Sequence, residues 1–164
     1  MARPEGLKLQ DASVAELLRL YGEILRELSE RKITRTTNAP AGDYAEYLVH
    51  QALGGRIAPN SEKSWDIETP EGKRVQVKCR VVLNRLNRGQ RQLSVIRSFD
   101  FDDLAVVIFD FSYAVAASVL IPAEVVKDNS SYIAYVNGYR LFATDALLRH
   151  PRAVDISGKL RAVM

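Results

Sequence analysis

With 164 residues, the chain has the length of one domain, and its 47% hydrophobic and 26% charged residues exclude a fibrous or intrinsically disordered protein. Cys79 is the only cysteine, which excludes a disulfide framework or a cysteine-based zinc site within one chain and favours a reducing cytoplasm. The formal net charge of +3 is too small to identify a partner by itself.

The sequence also argues against export and membrane insertion. Its first residues, MARPEGLKLQDAS, lack the apolar segment of a signal peptide. Residues 111–123 form the longest uncharged apolar run, which is far shorter than the roughly 20 residues that a membrane-spanning helix needs. We therefore expect a cytoplasmic protein with no membrane partner.

A helix with one apolar side is predicted over residues 13–31. Ser13 and Glu16 have the spacing of a capping box. The apolar stripe can pack on the protein's own core or on a second copy, and because no heptad pattern is sustained we favour the first, with a homodimer as the alternative. A polar linker follows, so we expect an N-terminal helix and linker at 1–40 and a core domain at 41–164. The stripe consists of Val14, Leu17, Leu18, Tyr21, Leu25 and Leu28.

The rest of the chain predicts one sheet with helices around it. A second helix runs from about residue 42 to the paired glycines Gly54 and Gly55. The Asn137-Gly138 dipeptide predicts a hairpin between 132–136 and 139–143. The expected fold class is mixed α/β (α+β), a single domain whose central mixed sheet is flanked by helices. Half-exposed strands are predicted at 63–69 and 74–83, more buried strands at 104–109 and 115–121, and short helices at 123–127, 144–149 and the C-terminus.

The turn at residues 69–73 determines which side chains share a face. Pro70 suits a type I turn and Gly72 the left-handed position that follows it, which pairs Thr69 with Lys73. Opposed residues in an antiparallel pair point to the same side. A loop longer or shorter by one residue would move Asp66 to the face opposite Gln76. The predicted pairs are Glu68 with Arg74, Ile67 with Val75, Asp66 with Gln76 and Trp65 with Val77. The apolar face then holds Trp65, Ile67, Val75, Val77, Cys79 and Val81, and the polar face Asp66, Glu68, Arg74, Gln76, Lys78 and Arg80.

On that polar face, three functional groups converge that suit metal-assisted hydrolysis. Mg²⁺ prefers hard oxygen ligands and keeps several waters. The Asp66 carboxylate, the Gln76 amide oxygen and the Val77 carbonyl can ligate such an ion, and Lys78 can position the attacking water. Against this interpretation, most amphipathic hairpins have a polar outer face without any function.

The same residues resemble the motif of the PD-(D/E)xK nuclease superfamily, which has the restriction-endonuclease-like fold. Gly42-Asp-Tyr-Ala-Glu46 is similar to its helix motif, Asp66 to its strand aspartate, and Gln76-Val-Lys78 to its (Asp/Glu)-x-Lys strand. Gln76 in place of the acid is similar to the variant in Mrr-type restriction enzymes. The resemblance implies that Glu46 approaches the metal from the helix, that Asp66 and Gln76 ligate Mg²⁺ or Mn²⁺, and that Lys78 is catalytic.

Three features depart from the family pattern. Ser64-Trp65 stands where the proline of the motif's name is expected, and Gln76 removes a negative charge from the metal site. In the usual layout a helix follows the third core strand, whereas residues 104–111 run here directly into 115–121. Because Gln76 is neutral, a decayed site that binds without turnover is an alternative.

Residues 72–99 contain eight Lys or Arg and no Asp or Glu. Such a block is most often a solvated face. A surface that binds polyanions is the better interpretation only when a reactive site lies in the same stretch. On the nuclease interpretation, DNA phosphates contact Arg35, Arg80, Arg85, Arg88 and Arg91.

We expect a Mg²⁺-dependent endonuclease acting on DNA. The alternatives are a nucleic-acid-binding module that has lost turnover and an interaction protein that dimerises through residues 13–31. His50, one turn after Glu46, is more often structural than catalytic.

Overall fold

The computed structural model describes residues 8–35, 39–59, 61–62, 64–82 and 88–164. The chain divides into two compact units, Met1–Pro40 and Ala41–Met164. The first unit contains helix α1 (Val14–Glu30), and its predicted capping box is confirmed. The Ser13 hydroxyl accepts from the Glu16 backbone N–H at 3.3 Å, and the Glu16 carboxylate accepts from the Ser13 N–H at 2.8 Å.

Within the described part of the second unit, a six-stranded sheet has the order β1-β2-β3-β4-β5-β8. Its strands are β1 (Arg56–Ile57), β2 (Ile67–Glu68), β3 (Arg74–Val81), β4 (Asp103–Phe109), β5 (Val115–Pro122) and β8 (Val154–Asp155). The remaining elements are α2 (Ala41–Leu53), α3 (Ala123–Asp128), the paired strands β6 (Ser131–Ile133) and β7 (Gly138–Arg140), α4 (Asp145–Leu148) and α5 (Ser157–Arg161). The β3 and β4 strands run parallel, whereas the other neighbours in the sheet are antiparallel. The predicted mixed α/β class is confirmed.

Apolar side chains cover both faces of the sheet. On one face, Val75 and Val77 of β3 pack with α2 and α5. On the other face, Leu104 and Val106 of β4 pack with the segment around Ile96 and with α3 and α4. Every residue of β4 is buried, which confirms the prediction of a strand near the sheet centre. In the described parts of the chain, we find no helix with the length and apolarity needed to cross a bilayer.

The turn between β2 and β3 has the predicted geometry. Gly72 takes a left-handed φ of 81°, and the Thr69 N–H donates to the Lys73 carbonyl at 2.9 Å. Ile67 pairs with Val75 and Glu68 with Arg74, as expected. The composition of a five-residue turn was therefore sufficient to determine the first pairs of the ladder.

Beyond Ile67, the predicted register is wrong. The pairs of Asp66 with Gln76 and of Trp65 with Val77 do not form, because the Asp66 N–H donates at 2.9 Å to the Val75 carbonyl, which lies opposite Ile67. The side chains before Ile67 therefore do not alternate between the two faces of the sheet as predicted. Trp65 packs in the core on the opposite face from Ile67, and the guanidinium of Arg74 lies 5.9 Å from its ring.

Two other predictions need correction. Of the strand expected at 63–69, Ile67–Glu68 alone is a strand among the described residues, and Lys63 lies outside them. The Asn137-Gly138 hairpin forms, but a 3₁₀ turn at Ala134–Val136 takes up the residues before it. Asn137 then adopts a left-handed φ of 47°, so the strands are shorter than predicted. As expected, β4 leads directly into β5, through a turn in which Tyr113 has a φ of 61°.

Gly55 provides a test of how α2 is joined to the sheet. It has a φ of 87°, and a Cβ there would collide with the Glu68 carbonyl oxygen and lie 2.9 Å from the Thr69 Cα. Gly72 is a matched control, since it has a φ of 81° but open space around it. We expect Gly72→Ala to lower the free energy of unfolding by about 1 kcal/mol, and Gly55→Ala by on the order of 3 kcal/mol. Equal losses in urea denaturation would contradict the close approach.

Candidate active site

The candidate site lies at one edge of β3, where β2 has ended and β3 continues to Val81. The Asp66 carboxylate accepts a 2.6 Å hydrogen bond from the Val77 backbone N–H. In a strand, the N–H and C=O of one residue point to the same edge. The Val77 carbonyl is therefore on the Asp66 side of β3, which places two of the predicted oxygen ligands together.

Gln76 is the buried polar residue of this site. Its side chain is only 5% exposed, and its amide oxygen Oε1 has no hydrogen-bond partner among the described residues. Leaving a buried acceptor without a partner costs about 1–3 kcal/mol, so such an atom calls for an explanation. A bound cation would supply the missing partner.

Lys78 lies partly buried between charges of both signs. Burial lowers its pKa from the ordinary value, and the carboxylates of Asp66 and Glu46 oppose this by favouring the ammonium form. The guanidinium of Arg97 adds to the lowering of the Lys78 pKa. The structure thus brings the predicted residues Glu46, Asp66 and Lys78 into one electrostatic neighbourhood, together with a second cation.

Glu46 reaches this neighbourhood from α2. Its charge acts on both Lys78 and Cys79, whose side chains point to opposite faces because they are consecutive strand residues. Glu46 is therefore within electrostatic reach of both side chains. Burial, followed by the Glu46 charge, raises the pKa of the Cys79 thiol to about 11, which makes Cys79 an inert thiol.

The residues at this edge fit a hard divalent cation. The candidate donors are the carboxylates of Glu46 and Asp66, which both act on Lys78, and two neutral oxygens, the Gln76 Oε1 and the Val77 carbonyl. Among the described residues, no three His, Cys, Asp or Glu side chains form a group that could hold a metal. Mg²⁺ and Mn²⁺ suit this donor set, because Mg²⁺ is commonly held by one or two carboxylates with waters and substrate phosphate completing its shell.

The predicted basic residues have different surroundings. Arg80 is exposed and donates to the Gln90 carbonyl at 3.3 Å. Arg91 is used within the fold, since its guanidinium binds Asp145 at 2.7 Å and its side chain is 16% exposed. Arg85 and the side chain of Arg88 lie outside the described residues, and Arg35 belongs to the first unit. We therefore leave Arg91 out of the phosphate-binding surface.

Arg97 is the residue that sequence reasoning missed. It belongs to the same acid-free run as Lys78, but the strand register gave no reason to select it from that run. His50 behaves as the structural interpretation expected, because its Nε2 lies 3.1 Å from the Gly55 carbonyl at the end of α2.

No family model matches this chain, and a search of curated proteins finds no match. The similarity to PD-(D/E)xK nucleases therefore rests on the motif residues alone, which are Gly42, Glu46, Asp66, Gln76 and Lys78.

The Cys79 thiol reports on the position of Glu46. With a pKa of about 11, about one thiol in a thousand is ionised at pH 8, so alkylation by iodoacetamide should be slow. In a Glu46→Gln variant the thiol pKa should fall, because a neighbouring negative charge is removed. The pH dependence of the alkylation rate measures this shift. Asp43→Asn, on the same helix, should leave the Cys79 pKa unchanged, and an unchanged pKa in Glu46→Gln would contradict the placement of Glu46.

Proposed function

We propose that this protein is a Mg²⁺- or Mn²⁺-dependent endonuclease that hydrolyses DNA phosphodiester bonds in the cytoplasm. The observation that carries the proposal is the buried Gln76 Oε1, which has no hydrogen-bond partner among the described residues and lies next in sequence to Val77, whose N–H binds Asp66. A buried acceptor without a partner lowers the stability of the fold, which is typical of an atom that binds a ligand. The similarity of the five residues to the PD-(D/E)xK motif supports the same chemistry.

Each residue has a role that follows from its position. A divalent ion, when bound, would polarise the phosphate and lower the pKa of a bound water. Asp66, Glu46, Gln76 and the Val77 carbonyl are the residues that would hold it. Lys78 is within electrostatic reach of both carboxylates and its ammonium group is a hydrogen-bond donor, so it can orient the attacking water or stabilise the charge that develops on the phosphate oxygens. The water oxygen bonds to phosphorus as the bond to the leaving oxygen breaks.

DNA is the substrate that the charge pattern favours. Arg80 and Arg97 are exposed cations in the run around Lys78. Contacts of such residues with phosphates give an affinity that falls with salt and depends little on sequence.

Cleavage of plasmid DNA tests this function. The wild-type protein should cut in the presence of Mg²⁺ or Mn²⁺ and stop when EDTA removes the ion. Lys78→Met and Asp66→Asn should reduce the rate by roughly 100-fold or more, the scale of losing a group that acts on the reacting atoms. Lys127→Met, at an exposed position on α3, is the matched control and should cleave normally. Absence of wild-type cleavage on duplex, branched and single-stranded DNA alike would exclude the activity.

A binding module without turnover is the second candidate, and Gln76 in place of an acid favours it. The site would then have one negative charge fewer than the motif provides. This alternative predicts salt-dependent DNA binding that needs no divalent ion and does not change in Asp66→Ala.

The exposed apolar face of α1 favours self-association as a further property. Val14 is 74% exposed, Leu18 65% and Tyr21 46%, all on one side of the helix. We expect Leu18→Asp to shift the protein from dimer to monomer in sedimentation velocity, because it places a charge in an apolar contact. Glu23→Ala on the polar side is the control. A wild-type protein that is monomeric at micromolar concentration would rule out this dimer.

A further inference from the structure

The hairpin of β6 and β7 is a fixed element on the sheet face that carries Lys78. Tyr139 exchanges backbone hydrogen bonds of 2.8 and 3.0 Å with Ile96, a core residue. The Tyr139 ring packs 4.7 Å from Phe99 and 5.3 Å from Tyr132, and the Tyr132 hydroxyl donates to the Asn137 side chain at 3.0 Å. The hairpin is therefore held by backbone pairing, ring packing and its own side chains.

Tyr135 stands at the apex of this hairpin. It lies in the 3₁₀ turn Ala134–Val136 and is 94% exposed, so its ring contributes almost nothing to the core. A tyrosine ring in water on a fixed turn is a flat surface available for stacking.

Arg97 connects this apex with the candidate active site. Its Nη1 donates to the carbonyls of Val136 and, at 3.1 Å, of Asn137, so the guanidinium is anchored to the turn that carries Tyr135. Ile96, the residue before Arg97, packs in the same core as Val106, and Val106 is the strand partner of Lys78. Strand partners direct their side chains to the same face, so Lys78 and the Tyr135 apex lie on one side of the sheet.

We propose that the Tyr135 apex and Arg97 bind unpaired nucleotides of the substrate strand next to the scissile bond. Tyr135 stacks on a base, and Arg97 binds the phosphate between that base and Lys78. Stacking needs an exposed base face, which single strands, flaps and gaps offer and a continuous duplex does not. The substrate class is therefore DNA with an unpaired segment, and this assignment rests on the proposed function.

Charge favours nucleic acid over a protein partner at this surface. Residues 131–140 contain no Asp or Glu, and Arg140 is exposed on β7. Together with Arg97, this makes an aromatic apex flanked by cations, which is the combination that binds single strands by stacking and phosphate contacts.

The test measures binding without cleavage. A fluorescein-labelled single strand of about 15 nucleotides and its duplex are titrated with the full-length protein in EDTA, and fluorescence anisotropy is recorded. Tyr135→Ala should weaken single-strand binding by about 5- to 150-fold and leave duplex binding unchanged, since stacking contributes about 1–3 kcal/mol per base. Tyr135→Phe keeps the ring and should bind as the wild type does. Arg97→Gln should weaken both complexes and reduce the salt dependence by about one phosphate contact.

The outcomes separate this inference from the proposed function. If the wild-type protein cleaves DNA but Tyr135→Ala binds the single strand normally, the apex assignment is wrong and the nuclease proposal stands. If Tyr135→Ala loses single-strand binding selectively and no substrate is cleaved, the apex assignment stands and the nuclease proposal fails. Equal weakening of single-strand and duplex binding by Tyr135→Ala would also overturn the stacking role. Because Tyr135 is exposed, circular dichroism should show unchanged folding in both Tyr135 variants.

Discussion

The hydrogen bond from the Val77 N–H to the Asp66 carboxylate determines how this site is built. A backbone carbonyl of β2 would take this N–H in a continued antiparallel ladder, but the side chain of Asp66 accepts it instead. The pairing of β2 with β3 therefore ends near Ile67, and Lys78, further along β3, is within electrostatic reach of both Asp66 and Glu46.

This arrangement buries polar groups that do not stabilise the fold. The Gln76 oxygen is buried without a partner among the described residues, and burial opposes the charged form of Lys78. Neither residue is explained by core packing, since the cores on the two faces of the sheet are built from apolar side chains such as Val75 and Leu104. The hydroxyls of Thr34 and Ser118 are also buried without a partner among the described residues, so what distinguishes Gln76 is its position next to Val77, the hydrogen-bond partner of Asp66, and perturbed polar groups near one another are typical of functional sites.

Much of the fold could be predicted because the local signals were strong. The Ser13–Glu16 capping box, the paired glycines after α2 and the Pro70–Gly72 turn each determine backbone geometry within a few residues, and each is found as expected. The irregularity at Asp66 could not be predicted, because it depends on a side chain taking the place of a carbonyl in the ladder. The strands β1 and β8 were missed for another reason: two residues are too few to show any alternation.

For the candidate site, strand register and motif together selected Asp66, Gln76 and Lys78, but the reason given for their convergence was partly wrong. Asp66 and Gln76 are not an opposed pair, and Asp66 approaches β3 through Val77 instead. Arg97 was not selected because its position depends on the pairing of residue 96 with 139, which are far apart in sequence.

Metal binding at the β3 edge can be measured by a titration of Mn²⁺ followed by its electron paramagnetic resonance signal. Free and bound Mn²⁺ give different signals, so affinity is measured without substrate or turnover. We predict that the wild-type protein binds Mn²⁺, that Mg²⁺ competes for the site, and that Asp66→Asn and Gln76→Leu each weaken binding while Asp128→Asn on α3 does not. Mn²⁺ binding of equal affinity in Asp66→Asn and the wild type, or no binding by the wild type, would contradict this prediction.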